Sequence, residues 1–273
     1  MTIAVSTQLY DEARLAQLRP LLEKDALLGV EIFPEWQLTR YEPALRQALP
    51  WLMGQPVTFH GPYWDIDPCF APEEPEFALF VKYWHKTLEY AARMKARYVV
   101  YHLYNHHFAA WEREEKYAAA LRALDCVERM AQEYGVLLAI ENTETSRNAG
   151  ENLLSQEAYI ELVKARKGCA AMIDIGHAGC AGWDIEALLE ELAGRIEGYH
   201  LHNNDGRWDS HCRLRCGTLD MEQIIGLTAR LTPNAVLTLE YNPRLEISTQ
   251  EVWEDIQWLK LLVEKNNEQK ERV

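Results

Sequence analysis

Short apolar runs recur along the chain with amphipathic stretches between them. The runs are IAVSTQL (3–9), LLGVEIF (27–33), PVTFHG (56–61), YVVYHL (98–103), VLLAIEN (136–142), AAMIDIG (170–176), EGYHLHN (197–203) and AVLTLEY (235–241). Each is nearly continuous in hydrophobicity, as a strand buried on both faces must be. Helices are predicted between them. Residues 11–25 open at Asp11 as N-cap, and residues 76–95 and 112–134 carry apolar positions at three- and four-residue spacing. Ser155, Asp184 and Asp220 stand as caps ahead of QEAYIELVKAR, IEALLEELAGR and MEQIIGLTARL, and Ser248 with Glu251 forms a capping box before a last helix.

Eight β/α alternations in 273 residues imply parallel strands joined by right-handed crossovers. The regular spacing predicts an α/β protein, a single (β/α)8 TIM barrel over residues 1–273, with an open doubly wound sheet as the alternative. The polar end EKNNEQKERV predicts a frayed tail over 265–273.

Charge and composition narrow the partners. The formal net charge of −14, from 42 acids against 28 bases, argues against extended contact with a nucleic-acid backbone. An anionic small molecule stays possible, because bound metal ions reverse the local sign in a pocket. No apolar run has the length of a membrane span, and MTIAVSTQLYDEARL lacks the pattern of a signal peptide. Six scattered cysteines read as free thiols in a reducing cytoplasm. Cys212 and Cys216 lie near His211, a position read as proximity rather than thiolate ligation.

In a barrel the C-terminal strand ends converge on one mouth, where function sits. Those ends place His60, His102, Glu141, Asp174, His202 and Glu240 there, with His177, Asp209 and His211 in the adjoining loops. Buried carboxylates are costly unless paired or metal-bound, and no Lys or Arg lies at these strand ends. The set therefore points to cations. Carboxylate with imidazole suits Zn²⁺, Mn²⁺, Fe²⁺ or Co²⁺ better than an all-oxygen Ca²⁺ site. Nine ligand-type residues exceed the needs of one ion, so two or three ions are expected, bridged by Glu141.

At these residues the chain resembles the endonuclease IV / xylose-isomerase-like TIM-barrel superfamily. The motifs that carry the likeness are HGPYWDID (60–67), IENT (140–143), IDIGHAGCAGWD (173–184), HLHNNDG (200–206), DSH (209–211) and LEYNP (239–243). The resemblance implies one ion on Glu141, Asp174, His202 and Glu240. In the phosphodiester-cleaving branch it implies a second on His60, His102 and Glu141, and a third on His177, Asp209 and His211. Two chemistries follow. One is zinc-dependent hydrolysis of a phosphoester in a small, sugar-containing molecule, using two or three Zn²⁺. The other is isomerisation or epimerisation of a sugar or sugar phosphate on one Mn²⁺, with Glu141 and Glu240 as base and acid and His177 beside them. Arg147 and Trp208 stand where ketohexose 3-epimerases carry a substrate Glu and Arg. A DNA apurinic-site endonuclease fits the charge least.

Other residues are read by position. Tyr63, Trp64, Tyr104, Trp183 and Trp208 lie near the mouth and could stack on a sugar or pack locally. His106 and His107 follow the fourth strand as a loop pair. His200 shares its strand face with His202 and reads as a supporting or core residue. Arg147, Arg207, Arg213 and Arg215 are the cations nearest the mouth, and Asn142 is expected to orient Glu141 or a loop backbone.

Overall fold

The computed structural model describes residues 1–10, 14–106, 108–148 and 150–271. Eight parallel strands close into a barrel in sequence order, with β1 (Thr2–Ser6) paired to both β2 (Gly29–Ile32) and β8 (Val236–Leu239). Between them run β3 (Val57–His60), β4 (Val99–Tyr101), β5 (Leu138–Glu141), β6 (Cys169–Asp174) and β7 (Ile196–Leu201). All eight expected strands are present, and the barrel rather than the open sheet is the solution.

The helices are α1 (Arg19–Lys24), α2 (Tyr41–Leu52), α3 (Pro75–Met94), α4 (Arg113–Tyr134), α5 (Gln156–Ala165), α6 (Ile175–Ala181), α7 (Ile185–Leu192), α8 (Met221–Leu231) and α9 (Thr249–Glu271). The expected caps form. Ser155, Asp184 and Asp220 accept from the backbone N–H of Ala158, Ala187 and Gln223, and the Ser248–Glu251 box closes in both directions.

Four readings change. The helix expected over 11–25 is a 3₁₀ turn at Leu15–Leu18 followed by α1, which opens with Pro20 in its first turn; Asp11 lies outside the described residues. Helix α2 is not predicted by the apolar spacing, because Pro43 and Pro50 interrupt it. Its buried face is Tyr41, Leu45, Ala48, Leu49 and Leu52. The sixth strand stops at Asp174 instead of running to Gly176, since Asp174 turns to cap α6. The polar end continues as helix to Glu271, in keeping with the helix propensity of its Glu, Lys and Gln residues.

Two apolar layers hold the barrel. A large one packs helices on the outer strand faces, and a small one fills the interior with Ala4, Tyr98, Val100, Ala139, Ala170, Met172 and Val236. The alanines make room for Tyr98, and so does Gly198, where a Cβ would lie 2.0 Å from the Tyr98 hydroxyl. This layer fills the barrel below the carboxylates and imidazoles of the mouth.

Candidate metal centre

Glu31, Glu141, Asp174 and Glu240 come from the ends of β2, β5, β6 and just past β8, and none is more than 3% exposed. Four carboxylates at that depth would each cost several kcal/mol if uncompensated. Among the described residues their ion-pair partners are histidines alone. Three groups of side chains result, and within each the ligand atoms lie within 4.8 Å of one another.

The first group is His60, His102 and Glu141. His102 Nε2 lies 2.8 Å from Glu141 Oε2 and 3.1 Å from His60 Nε2. His60 Nδ1 donates to the Gly61 carbonyl at 2.8 Å and His102 Nδ1 faces Asn105 Oδ1 at 3.1 Å. Asn105 keeps that orientation because its amide N donates to the Ile66 carbonyl. Both rings thus use Nδ1 on an oxygen and turn Nε2 on the same point as a carboxylate, the arrangement of metal-binding imidazoles with an outer partner. Burial, then the neighbouring His102, holds the His60 pKa well below its ordinary value, so the ring is neutral and ready to ligate.

The second group is Glu141, Asp174, His200 and Glu240. His200 Nδ1 sits 2.9 Å from Glu141 Oε1, 3.4 Å from Glu240 Oε2 and 3.8 Å from Asp174 Oδ2. Burial drives the Glu240 carboxyl up to about 8, only partly opposed by His200 and His211. Burial also raises Glu141, but His200 and His102 together outweigh it and hold it well below the ordinary range.

The third group is His177, His202, Asp209 and His211. Asp209 Oδ2 lies 3.1 Å from His177 Nε2 and 3.0 Å from His211 Nε2. The Nδ1 atoms of these rings donate to the carbonyls of Asn142 and Glu240, repeating the pattern of the first group. His202 stacks on His211 with ring centroids 3.7 Å apart and reaches Asp174 Oδ2 at 3.0 Å.

All nine residues expected at the mouth are there, in different company from that expected. Glu141, Asp174 and Glu240 converge with His200, whereas His202 joins the third group and touches the second only through Asp174. The cause is depth: His200 lies inside β7, below the rim, while His202 follows its last residue, Leu201. Three atoms of expected ligands, His202 Nδ1, Asp209 Oδ1 and Glu240 Oε1, are buried with no hydrogen-bond partner among the described residues. Orphaned polar atoms in a cluster of carboxylates and imidazoles fit divalent cations.

The remaining candidates separate cleanly. Asn142 does not orient Glu141; its amide pins the end of β6, donating to the Asp174 carbonyl at 2.9 Å and accepting from the Asp174 N–H at 2.8 Å. Arg213 clamps Asp255 of α9 through Nε and Nη2 at 2.8 and 3.0 Å, Arg215 lies 3.5 Å from the same carboxylate, and Tyr241 donates to it. These two arginines therefore anchor the loop that carries Asp209 and His211. Arg147 packs over Gly182 and Gly206, leaving Arg207 at the mouth itself. The Cys212 thiol donates to the Asn203 carbonyl, and neither Cys212 nor Cys216 joins a ligand group. Trp183 packs on Tyr159. His106 pairs with Asp67 at 3.0 Å; His107 lies outside the described residues. Glu31 and Glu144 were missed. The signal for Glu31 was a lone charge inside the apolar run LLGVEIF. Glu144 accepts from the Thr143 and Leu154 N–H groups and anchors the loop walling the mouth, with burial raising its pKa to about 7.

Above the three groups lies a cavity of about 480 Å³, walled by Tyr63, Tyr104, Thr143, Asn152, Arg207 and Trp208, with His102, His177 and Asp209 in its floor. The volume suits a small molecule.

Gly176 shows how tightly the centre is built, because a Cβ there would lie 1.9 Å from His202 Cε1 and 2.3 Å from its Nδ1. Gly176→Ala is expected to displace His202, lower divalent-metal content and cost about 1–3 kcal/mol through overpacking. Elemental analysis with urea denaturation checks this; unchanged metal content at unchanged stability contradicts it.

The chain belongs to the xylose isomerase-like TIM barrel family, whose profile matches residues 25–262. A protein of Methanocaldococcus jannaschii described as uncharacterized is 24% identical over 228 residues, covering 80% of this chain and 74% of its own. A D-tagatose 3-epimerase-like protein superposes with a TM-score of 0.79 at 19% identity, over 98% of this chain and 99% of that one. A Thermus thermophilus protein whose crystals were soaked in ZnCl₂ superposes with a TM-score of 0.71 at 23% identity, over 97% and 99% of the two chains. Among the described residues no helix is long and apolar enough to cross a membrane.

Proposed function

We propose that this chain is a divalent-metal enzyme that hydrolyses a phosphoester in a small, sugar-containing molecule, with two or three zinc ions in its mouth. The observation that carries the reading is the set of three ligand groups joined through Glu141 and Asp174. His60, His102 and Glu141 would hold one ion, Glu141, Asp174 and Glu240 with His202 at the rim a second, and His177, Asp209 and His211 a third. Ions bound there lower the pKa of water into the neutral range and neutralise charge on phosphoryl oxygens.

The chain's own groups do the rest. Tyr63, Tyr104 and Trp208 offer ring faces to a sugar, Thr143 and Asn152 offer polar contacts, and Arg207 balances the charge of a phosphate. His177, which like His102 belongs to a ligand group and faces the cavity, would hold the reacting group against Asp209. The small cavity and the net charge of −14 speak against a nucleic-acid substrate. Six free cysteines support a cytoplasmic location for the enzyme.

Elemental analysis of protein purified without chelator tests this. Two or three zinc ions per chain are expected, together with chelator-sensitive cleavage of bis(p-nitrophenyl) phosphate. A single manganese ion and no phosphoesterase activity would count decisively against hydrolysis.

One observation favours a second reading, isomerisation or epimerisation of a sugar or sugar phosphate. Glu141 and Glu240 face one His200 nitrogen, and their pKa values are pushed apart, Glu141 down and Glu240 up to about 8. Such a pair can take a proton from carbon and return one. The structural likeness to an epimerase-like protein is in keeping with it. Incubating ketoses in D₂O and reading exchange at the carbon beside the carbonyl decides the matter; no exchange across a broad panel removes this reading.

A further inference from the structure

A chain of contacts runs down from the second ligand group to Glu31, which belongs to none of the groups. Glu31 and His200 are both fully buried. His200 Nε2 meets Glu31 Oε1 at 2.8 Å, and Nδ1 meets Glu141 Oε1 at 2.9 Å. Thr58 donates from its hydroxyl to the other Glu31 oxygen at 3.2 Å. The His200 ring also stacks against the His60 ring, with centroids 5.9 Å apart and planes 16° from parallel. The path therefore runs from β3 through β2 and β7 to β5, across the barrel under the mouth.

Both ring nitrogens of His200 therefore face carboxylate oxygens, Nε2 that of Glu31 and Nδ1 that of Glu141. The ring lies among ligand-type groups, but it is fully buried inside β7 with a carboxylate on either side of it. Glu31 belongs to no ligand group at all. What the pair does control is the orientation of Glu141. One Glu141 oxygen is taken by His200 from below, and the other is turned toward His102 and His60. Without that hold the carboxylate could rotate and offer both oxygens to one ion.

We propose that Glu31 and His200 are positioning residues that hold Glu141 from below as the bridge between two metal ions, His200 itself not being a ligand. The inference rests on the metal-centre part of the proposed function. Outer partners of metal ligands typically govern affinity by about 10–100-fold.

The test measures zinc affinity by competition with a chromophoric chelator, for the wild-type protein and for His200→Gln, Glu31→Leu and Glu31→Gln. Paramagnetic NMR of the Co²⁺-loaded protein counts the directly ligated imidazoles. His200→Gln and Glu31→Leu are expected to weaken the ions that share Glu141 by about 10–100-fold, while the ion on His177, Asp209 and His211 keeps its affinity. Glu31→Gln retains an acceptor oxygen for His200 and is expected to recover most of the loss, which a purely structural role would not predict. If His200→Gln fails to fold, the two Glu31 variants still decide. His200 is expected to give no directly ligated imidazole signal. Wild-type affinity in His200→Gln and Glu31→Leu, equal losses in both Glu31 variants, or a ligated His200 signal each overturns the inference alone. A wild-type protein that binds no zinc or cobalt overturns the metal-centre reading and this inference together.

Discussion

Glu141→Ala is expected to abolish turnover, with a loss of at least about 10³-fold in kcat/KM and a drop in bound zinc. The size follows from its place. Glu141 is the one residue shared by two ligand groups, with His102 on one oxygen at 2.8 Å and His200 on the other at 2.9 Å. Losing even an outer partner of a ligand costs about 10–100-fold, and on the proposed reading Glu141→Ala removes a ligand to two ions together with a carboxylate partner of the buried His200. Glu141→Gln keeps the volume and removes the charge, so it separates packing from ligation. It should fold like the wild type and still lose most of its zinc. Either the hydrolytic or the isomerising reading requires this outcome, and near-normal turnover of Glu141→Ala would overturn the whole site assignment.

Removing the metal should have the second largest effect, and its pH dependence has a definite sign. In the metal-free protein Glu240 is raised to about 8 and His211 to about 9, with burial the largest influence on each: it raises Glu240, and it opposes the rise that Asp209 imposes on His211. Both groups therefore keep a proton in the folded state that the unfolded chain has released at higher pH. Their contribution to stability is fully present below the unfolded values, near 4.5 for a glutamate and 6.5 for a histidine, and is lost as pH rises through about 8 and 9. Glu141, Asp174 and Asp209 are shifted downward, so their contribution is lost only as pH falls below the usual carboxylate range. The chelated protein should accordingly melt lower at pH 8.5 than at pH 6.

Metal binding works in the opposite direction. Ligands must be deprotonated, so affinity rises with pH. One ion at a hundred times its Kd adds about 2.7 kcal/mol, and each kcal/mol moves Tm by about 2–4 °C in a chain of this order of size. Loading one site should raise Tm by about 5–11 °C, and the gap between loaded and chelated protein should widen from pH 6 to 8.5. Calorimetry at both pH values with and without EDTA measures it. A gap that narrows with rising pH contradicts the ligand assignment.

The chain by itself determined the barrel, because both signals behind it are local. A strand buried on both faces must be an unbroken apolar run, and a helix start needs a side chain to serve its free N–H groups, as Ser155, Asp184, Asp220 and Ser248 do. It also brought six of the nine side chains, His60, His102, Glu141, Asp174, His202 and Glu240, to the mouth, since the end of a barrel strand is a fixed address, while His177, Asp209 and His211 follow in the adjoining loops. Tertiary structure decided their partners. Period two puts His200 and His202 on one face but is silent on depth, and depth sends His200 to Glu31 and Glu141, leaving His202 on the rim with Asp209 and His211. Glu31 and His200 stand 169 positions apart, so their contact exists only once the barrel closes. The same holds for Arg213, which the sequence placed only as a cation near the mouth and which is bound to Asp255. Local pattern sets where a residue sits on its element; which charges meet is set by elements that are neighbours only in space.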